Sequence, residues 1–222
     1  MSNKKEIVIP GEVIGGKDML PGDNAYKDGE NVLAQRYGFV ETHGKVIKVI
    51  PISGVFVPRR GNVIIAQVTD ITFNGWLADM GIAYNSFLPV AEIPKYLDKN
   101  SLAEFLEIGD FFTAKIRSVK QKGIDLTMDS RGMGKLEGGM IVTINPNKVP
   151  RVIGKEGSMI KIIKDASDCR ITVGQNGLVW IKGDKIEDEL LARKAIEFIT
   201  EKSLVSGLTE MVEKFLKEES KK

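Results

Sequence analysis

The chain has 222 residues, 42% apolar and 28% charged, which is the composition of a folded protein with room for two ordinary domains or three small ones and excludes a disordered chain. No stretch approaches the roughly 18–20 consecutive apolar residues of a membrane span, and residues 1–11 lack the apolar run of a secretory signal, so a cytoplasmic protein without membrane contact is expected. The net charge of +2 singles out no partner, and one cysteine, Cys169, rules out an internal disulfide or a thiolate zinc site within one chain.

Residues 7–58 read as short strands (IVIP, KVIKVI, GVFVP) broken by turn dipeptides at Pro10-Gly11, Gly15-Gly16 and Pro21-Gly22, with no helical period. A β-rich domain over residues 1–58 is expected. Its end is basic, with Lys45, Lys48, Arg59 and Arg60 and no acid between them.

From Gly61 the strands lengthen: NVIIAQVTDI, GWLADMGI after the Asn74-Gly75 turn, SFLPVAEI, FFTAKIRSV and GIDLTM. Five strands with a polar helical insertion around residues 95–106 match the strand count of an OB barrel, placed over residues 61–131. Strand parity groups Trp76 with Ala78 and Met80 and turns it inward, although a slip of one residue would reverse this. Residues 115–131 carry five basic residues against Asp125 and Asp129, and RGMGKLEGG reads as a glycine-rich linker.

Residues 138–203 read as a strand (140–145), a short helix (149–153) opened by Pro150, the loop Gly154-Lys155-Glu156-Gly157, and a second helix. Met159, Ile162, Ile163 and Ala166 give that helix its apolar face. Strands at 169–173 and 178–182 are joined through Asn176-Gly177, a strong hairpin signal, and Leu191, Ala195, Phe198 and Ile199 stripe a closing helix. This order is that of a KH domain of the eukaryote type, whose GxxG loop clamps about four nucleotides of single-stranded backbone. Two glycines let the chain approach a phosphate closely, and the loop opens a helix whose first N–H groups attract anions. Lys155 favours phosphate and Glu156 opposes it, while Arg151 and Lys161 flank the groove. Arg151, Gly154, Lys155, Glu156, Gly157 and Lys161 are therefore the expected RNA contacts of this domain. Residues 204–222 form a last amphipathic helix and tail, with Leu208, Met211, Val212, Phe215 and Leu216 at helical spacing.

The middle domain resembles the OB fold of the ribosomal-protein S-one type. There aromatic residues on the second and third strands stack bases, and TFNGWLADMG carries Phe73 across as a stacking candidate. Pro89 stands where that family often has histidine, and Leu77 where a second aromatic is usual. The face is therefore expected to guide RNA by charge, through Lys115, Arg117, Lys120 and Lys122. The domain order, together with PGEVI near the start and GQNGLVW at residues 174–180, which fits a GxNG signature, resembles the RNA-binding cap subunit of the archaeal exosome, the ribosomal RNA-processing protein four family. This resemblance covers nearly the whole chain and implies that Gly174, Asn176, Gly177 and Trp180 pack the KH domain against the barrel. It also implies that three cap copies surround the opening of a ring of RNase-PH-like subunits, with the N-terminal domain docked on the ring. The ring degrades RNA from the 3′ end by phosphorolysis; the cap captures single-stranded RNA and feeds it.

No catalytic residue, metal or cofactor is expected. The only histidine, His43, lies in a Thr-His-Gly turn without a cysteine or carboxylate cluster. Asp125 and Asp129 lack further acidic partners for a two-metal site, and no phosphate-binding GxxxxGK[ST] loop occurs. Glu187, Asp188 and Glu189 fall in the first turn of the closing helix, where negative charge suits the helix dipole. Three other readings fit less well. A transcription factor of OB-KH-KH type needs a second KH domain, and only about 20 residues follow Ser203. The tail of a bacterial phosphorolytic nuclease runs KH before OB, the reverse of this order. The other exosome cap protein ends in a zinc ribbon, which one cysteine excludes.

Overall fold

The turn-rich start of the chain and the longer strands after it fold as two units in the computed structural model, Met1–Gly54 and Val55–Lys222, of which residues 6–94, 102–205 and 207–219 are described. Glycine and proline recur too often in the first unit for long strands. Its described residues form seven: β1 (Ile7–Val8), β2 (Val13–Gly15), β3 (Leu20–Pro21), β4 (Ala25–Asp28), β5 (Asn31–Ala34), β6 (Gly38–His43) and β7 (Val46–Pro51). They make two sheets, β1-β6-β7-β3 and β2-β5-β4. Alternation along β6 and β7 turns Val40 and Val49 inward, where they meet Val8, Ile14 and Ala34 in a small core. Gly38 is obligatory, because a side-chain carbon there would lie 2.2 Å from the Ile50 carbonyl oxygen.

The outer face of the larger sheet is apolar. Ile7, Phe39 and Ile50 align across three strands, and Leu20 lies opposite Val46. Ile7, Leu20, Val46 and Ile50 are 39–55% exposed. Among them Lys48 pairs with Glu41 at 2.9 Å, and its ammonium holds the Glu41 carboxyl below the usual range. The predicted strand GVFVP does not form: residues 54–58 are irregular. Pro58 has no N–H for a ladder, and Phe56 instead packs against the core of the following barrel.

That barrel consists of β8 (Val63–Thr72), β9 (Gly75–Asp79), β10 (Ser86–Pro89), β11 (Phe111–Lys120) and β12 (Gly123–Thr127). The order β12-β10-β9-β8-β11 closes through β11–β12 pairing, a five-stranded barrel as expected. Of the predicted helical insertion, residues 95–101 lie outside the described residues, while Leu102–Phe105 forms the short helix α1. Trp76 is fully buried, and its indole N–H donates to the Leu106 carbonyl at 3.0 Å. The predicted glycine-rich linker contains a further strand, β13 (Gly134–Leu136), paired with β11. It is held where the Gly134 N–H donates to the Thr113 hydroxyl.

The KH domain follows as β14 (Met140–Thr143), α2 (Val149–Ile153), α3 (Ser158–Ser167), β15 (Arg170–Val173), β16 (Leu178–Lys182) and α4 (Ile186–Glu201). Its sheet runs β14-β16-β15, all antiparallel. The core joins Val152, Met159 and Ile163 to Val179, Ile181, Ala195, Ile196 and Ile199. Ala166, predicted on the buried face of α3, is exposed. Buried Ser167 sits beside it, its hydroxyl donating to the Ile163 carbonyl one turn back. The last helix, α5 (Leu208–Glu219), seats Leu208, Val212 and Leu216 in the same core and stacks Phe215 on Phe198 at 4.6 Å between ring centres. No described helix is long and apolar enough to cross a membrane.

Candidate nucleic-acid interface

The loop at residues 154–157 is shaped by its backbone. Helix α2 stops at Gly154, whose φ of +75° and ψ of 175° suit glycine alone, and a side-chain carbon there would lie 2.6 Å from the Met159 nitrogen. Gly157, at φ +79°, caps α3 without any side-chain hydrogen bond. The Gly157 N–H donates to the Gly154 carbonyl and the Ser158 N–H to the Lys155 carbonyl, which folds the loop back on itself at the start of α3. Glu156 also sits in the left-handed region, at φ +54°, a conformation costing a non-glycine residue about 1 kcal/mol. Arg151 in the last turn of α2, Lys155 in the loop and Lys161 on α3 are exposed and, among the described residues, carry no ion pair. Lys148 differs: its ammonium donates to the Thr200 carbonyl at 2.7 Å near the end of α4.

A second junction lies where the KH hairpin meets the barrel. Strand β8 has ten residues but β9 only five, paired from Gln67 onward. Along residues 63–65 the vacant edge is taken by the hairpin between β15 and β16. The Gln175 N–H donates to the Val63 carbonyl at 2.8 Å, and the Val63 N–H donates to the Gln175 side-chain oxygen at 3.0 Å. Asn176, 7% exposed, accepts from the Ile65 N–H at 3.2 Å and donates to the carbonyls of Ile65 and Met80, each at 2.8 Å. A side-chain carbon on Gly174 would stand 2.8 Å from the Ile65 nitrogen, and one on Gly177 2.3 Å from the Ile144 carbonyl oxygen. Trp180, grouped with these three in the sequence, instead donates its indole N–H to the Gly138 carbonyl at 2.7 Å, fastening the segment between β13 and β14.

The four barrel cations are not one row of free charges. The Arg117 guanidinium donates to the Glu92 carboxylate, and Lys120 pairs with Asp125 at 2.5 Å. Lys115 is half-buried with its stem 4.0 Å from the position of a Gly61 side-chain carbon, while Lys122 is exposed in the β11–β12 turn. A bulge between Ile116 and Ser118 breaks the register between them. Hydrogen bonds from Lys120 and then Ser118 hold the Asp125 carboxyl below its usual range. Phe73 is 81% exposed in the turn between β8 and β9.

One aromatic was missed by the sequence reading. Ser86 and Leu88 of β10 point into the barrel, so Phe87 and Pro89 point out, with Phe87 opposite Leu77 on β9 and Asp125 on β12. The alternation in SFLP carried that signal. Elsewhere, His43 is exposed 3.4 Å from Glu41, and burial raises the Cys169 thiol pKa. The described residues contain no group of three or more His, Cys, Asp or Glu able to hold a metal.

Residues 139–187 match a family model described as the KH domain. The chain is 39% identical to the exosome complex component Rrp4 of Methanothermus fervidus, covering 96% of each chain. It is 38% identical to the protein of the same name from Thermococcus kodakarensis, over 96% of this chain and 85% of that one. The crystal structure of a candidate exosome complex RNA-binding protein aligns with a TM-score of 0.67 and 31% identity, over 76% of this chain and 98% of its own. With identity at this level sustained across almost the full length of both partners, the chain belongs to the Rrp4 family of exosome complex components.

Proposed function

We propose that this chain captures single-stranded RNA for an exosome and feeds the 3′ end to an RNase-PH-like ring, three copies surrounding the ring opening, without cleaving the strand itself. The observation that carries this reading is the KH loop: two glycines held at positive φ, Gly154 and Gly157, beside three cations, Arg151, Lys155 and Lys161, that have no ion pair among the described residues. Folded proteins usually pair or solvate such charges singly; gathered at a glycine loop they suit successive phosphates. The apolar outer face of the β1-β6-β7-β3 sheet supports a division of labour in which the first unit docks on the ring and Val55–Lys222 handles RNA.

Purified chain is expected to bind single-stranded RNA and to release no nucleotide in the presence of inorganic phosphate. Lys155→Asp should weaken binding severalfold without changing the melting temperature, because the side chain is exposed. The log–log salt dependence should flatten by about 0.7, since one phosphate of the single strand is no longer neutralised. An unchanged affinity and slope would assign the loop to structure alone.

A further inference from the structure

We infer that the outer face of the C-terminal helices is a docking groove for a cationic amphipathic helix of a partner protein, a role that goes beyond RNA capture and does not depend on it. An open hollow of about 450 Å³ lies where α3, α4 and α5 meet. Its floor is apolar, built from Ala166 near the end of α3 and from Leu190 and Leu191 on α4. Leu190 is 42% exposed, and Ile186, one turn before it, is 70% exposed. The core side of α4 is supplied by Ala192, Ala195, Ile196 and Ile199, so Ile186 and Leu190 belong to a second apolar face. A further hollow of about 280 Å³ shares Lys194 and Glu219 with the first and continues it along α4 and α5, over the stacked rings of Phe198 and Phe215.

Length and charge decide the occupant. From Glu187 to Glu201 the trough follows α4 for about 21 Å at a rise of 1.5 Å per residue, the length of a helix of about four turns. Five carboxylates line it, those of Glu187, Asp188, Glu197, Glu201 and Glu219, against the ammonium of Lys194. Lys194 pairs with Glu219 at 2.7 Å, and Arg193 meets Glu197 at 2.8 Å. Glu187, Asp188 and Glu201 carry no ion pair among the described residues. The first two suit the start of α4, but Glu201 stands in its last turn, where negative charge opposes the dipole and helix stability does not account for it. Such walls repel a phosphate backbone, whereas lysines or arginines flanking an apolar stripe would meet them while the stripe covers Leu190 at one end and Phe198 at the other. The RNA loop is left free: it opens α3 at Ser158, and Ala166 lies in the last turn of the same helix, about 12 Å further on.

The test uses the full chain and two fluorescein-labelled synthetic peptides of about four helical turns, both of leucine and lysine in the same proportion. One carries its leucines at i, i+3, i+4 and i+7; the other scatters them around the helix. Fluorescence anisotropy should show the first binding at least about tenfold more tightly than the second, because only a single apolar face fits the floor. Leu190→Ser removes the centre of that floor and is expected to raise Kd for the first peptide about tenfold, the worth of one buried leucine. Glu201→Lys should raise it severalfold, most at low salt. Both side chains are exposed, so the melting temperature should stay unchanged. Equal binding of the two peptides would mean attraction by bulk charge alone and overturns the proposal. So does no binding of either, or wild-type affinity in both variants. Self-association of the chain that Leu190→Ser abolishes would make the occupant a second copy, and the proposal falls in that case too.

Discussion

Replacing Asn176 with leucine is expected to destabilise the Val55–Lys222 unit by at least about 3 kcal/mol, because three buried backbone groups lose their partner at once and each such loss costs about 1–3 kcal/mol. A folded chain is stable by only about 5–15 kcal/mol, so the variant should melt well below the native protein. Gln175→Leu is the control. Its backbone bond to Val63 survives, one side-chain acceptor at an exposed position is lost, and the cost should stay near about 1 kcal/mol. Urea unfolding of the full chain measures both. A loss below about 1 kcal/mol for Asn176→Leu would mean that the hairpin contributes little and that barrel and KH domain are not welded together there.

Loss of ring binding is the second large effect anticipated. Ile7→Asp combined with Ile50→Asp places two charges on the apolar outer sheet face, on either side of Phe39. Central apolar positions of an interface are each commonly worth about 2 kcal/mol or more, so co-elution with RNase-PH-like ring subunits should disappear while RNA affinity persists. Removing Met1–Gly54 should do the same. The cut belongs at Gly54 rather than Pro58, because Phe56 packs against the barrel core and its loss would confuse docking with folding. Normal co-elution of either protein would move the docking surface to the barrel or the KH domain.

The KH domain was legible because its signals are local: a glycine loop between two helices, an Asn-Gly turn and period-matched apolar faces each declare themselves within a few residues. Trp76 was legible for the same reason, since strand parity needs only its neighbours. What stayed hidden depends on partners distant in sequence. Strand β13 is three residues in a glycine-rich stretch and exists because β11 offers an edge to it. Ion pairing of Arg117 and Lys120 could not be read, because Glu92 is 25 residues away on a different element and Asp125 lies across a hairpin. The strand expected at GVFVP failed for the opposite reason: its pattern is right, but no neighbouring strand pairs with it, and Phe56 goes to the barrel core. Phe87 lay within reach of the same parity rule that placed Trp76, but the family pattern points to position 89, where proline stands instead of histidine.

The unequal lengths of β8 and β9 have a consequence for how this protein keeps to itself. A barrel produced without its KH hairpin would present residues 63–65 as bare backbone, with N–H and C=O groups of Val63 and Ile65 that no other strand satisfies on that side. Such a stretch is a template for any passing strand, including the same stretch of a second molecule. Gln175 and Asn176 stopper it by borrowing two residues from a turn, which are too few to propagate pairing further. The joint between the domains thus closes this edge to self-association once the hairpin, which is synthesised after the barrel, has folded onto it.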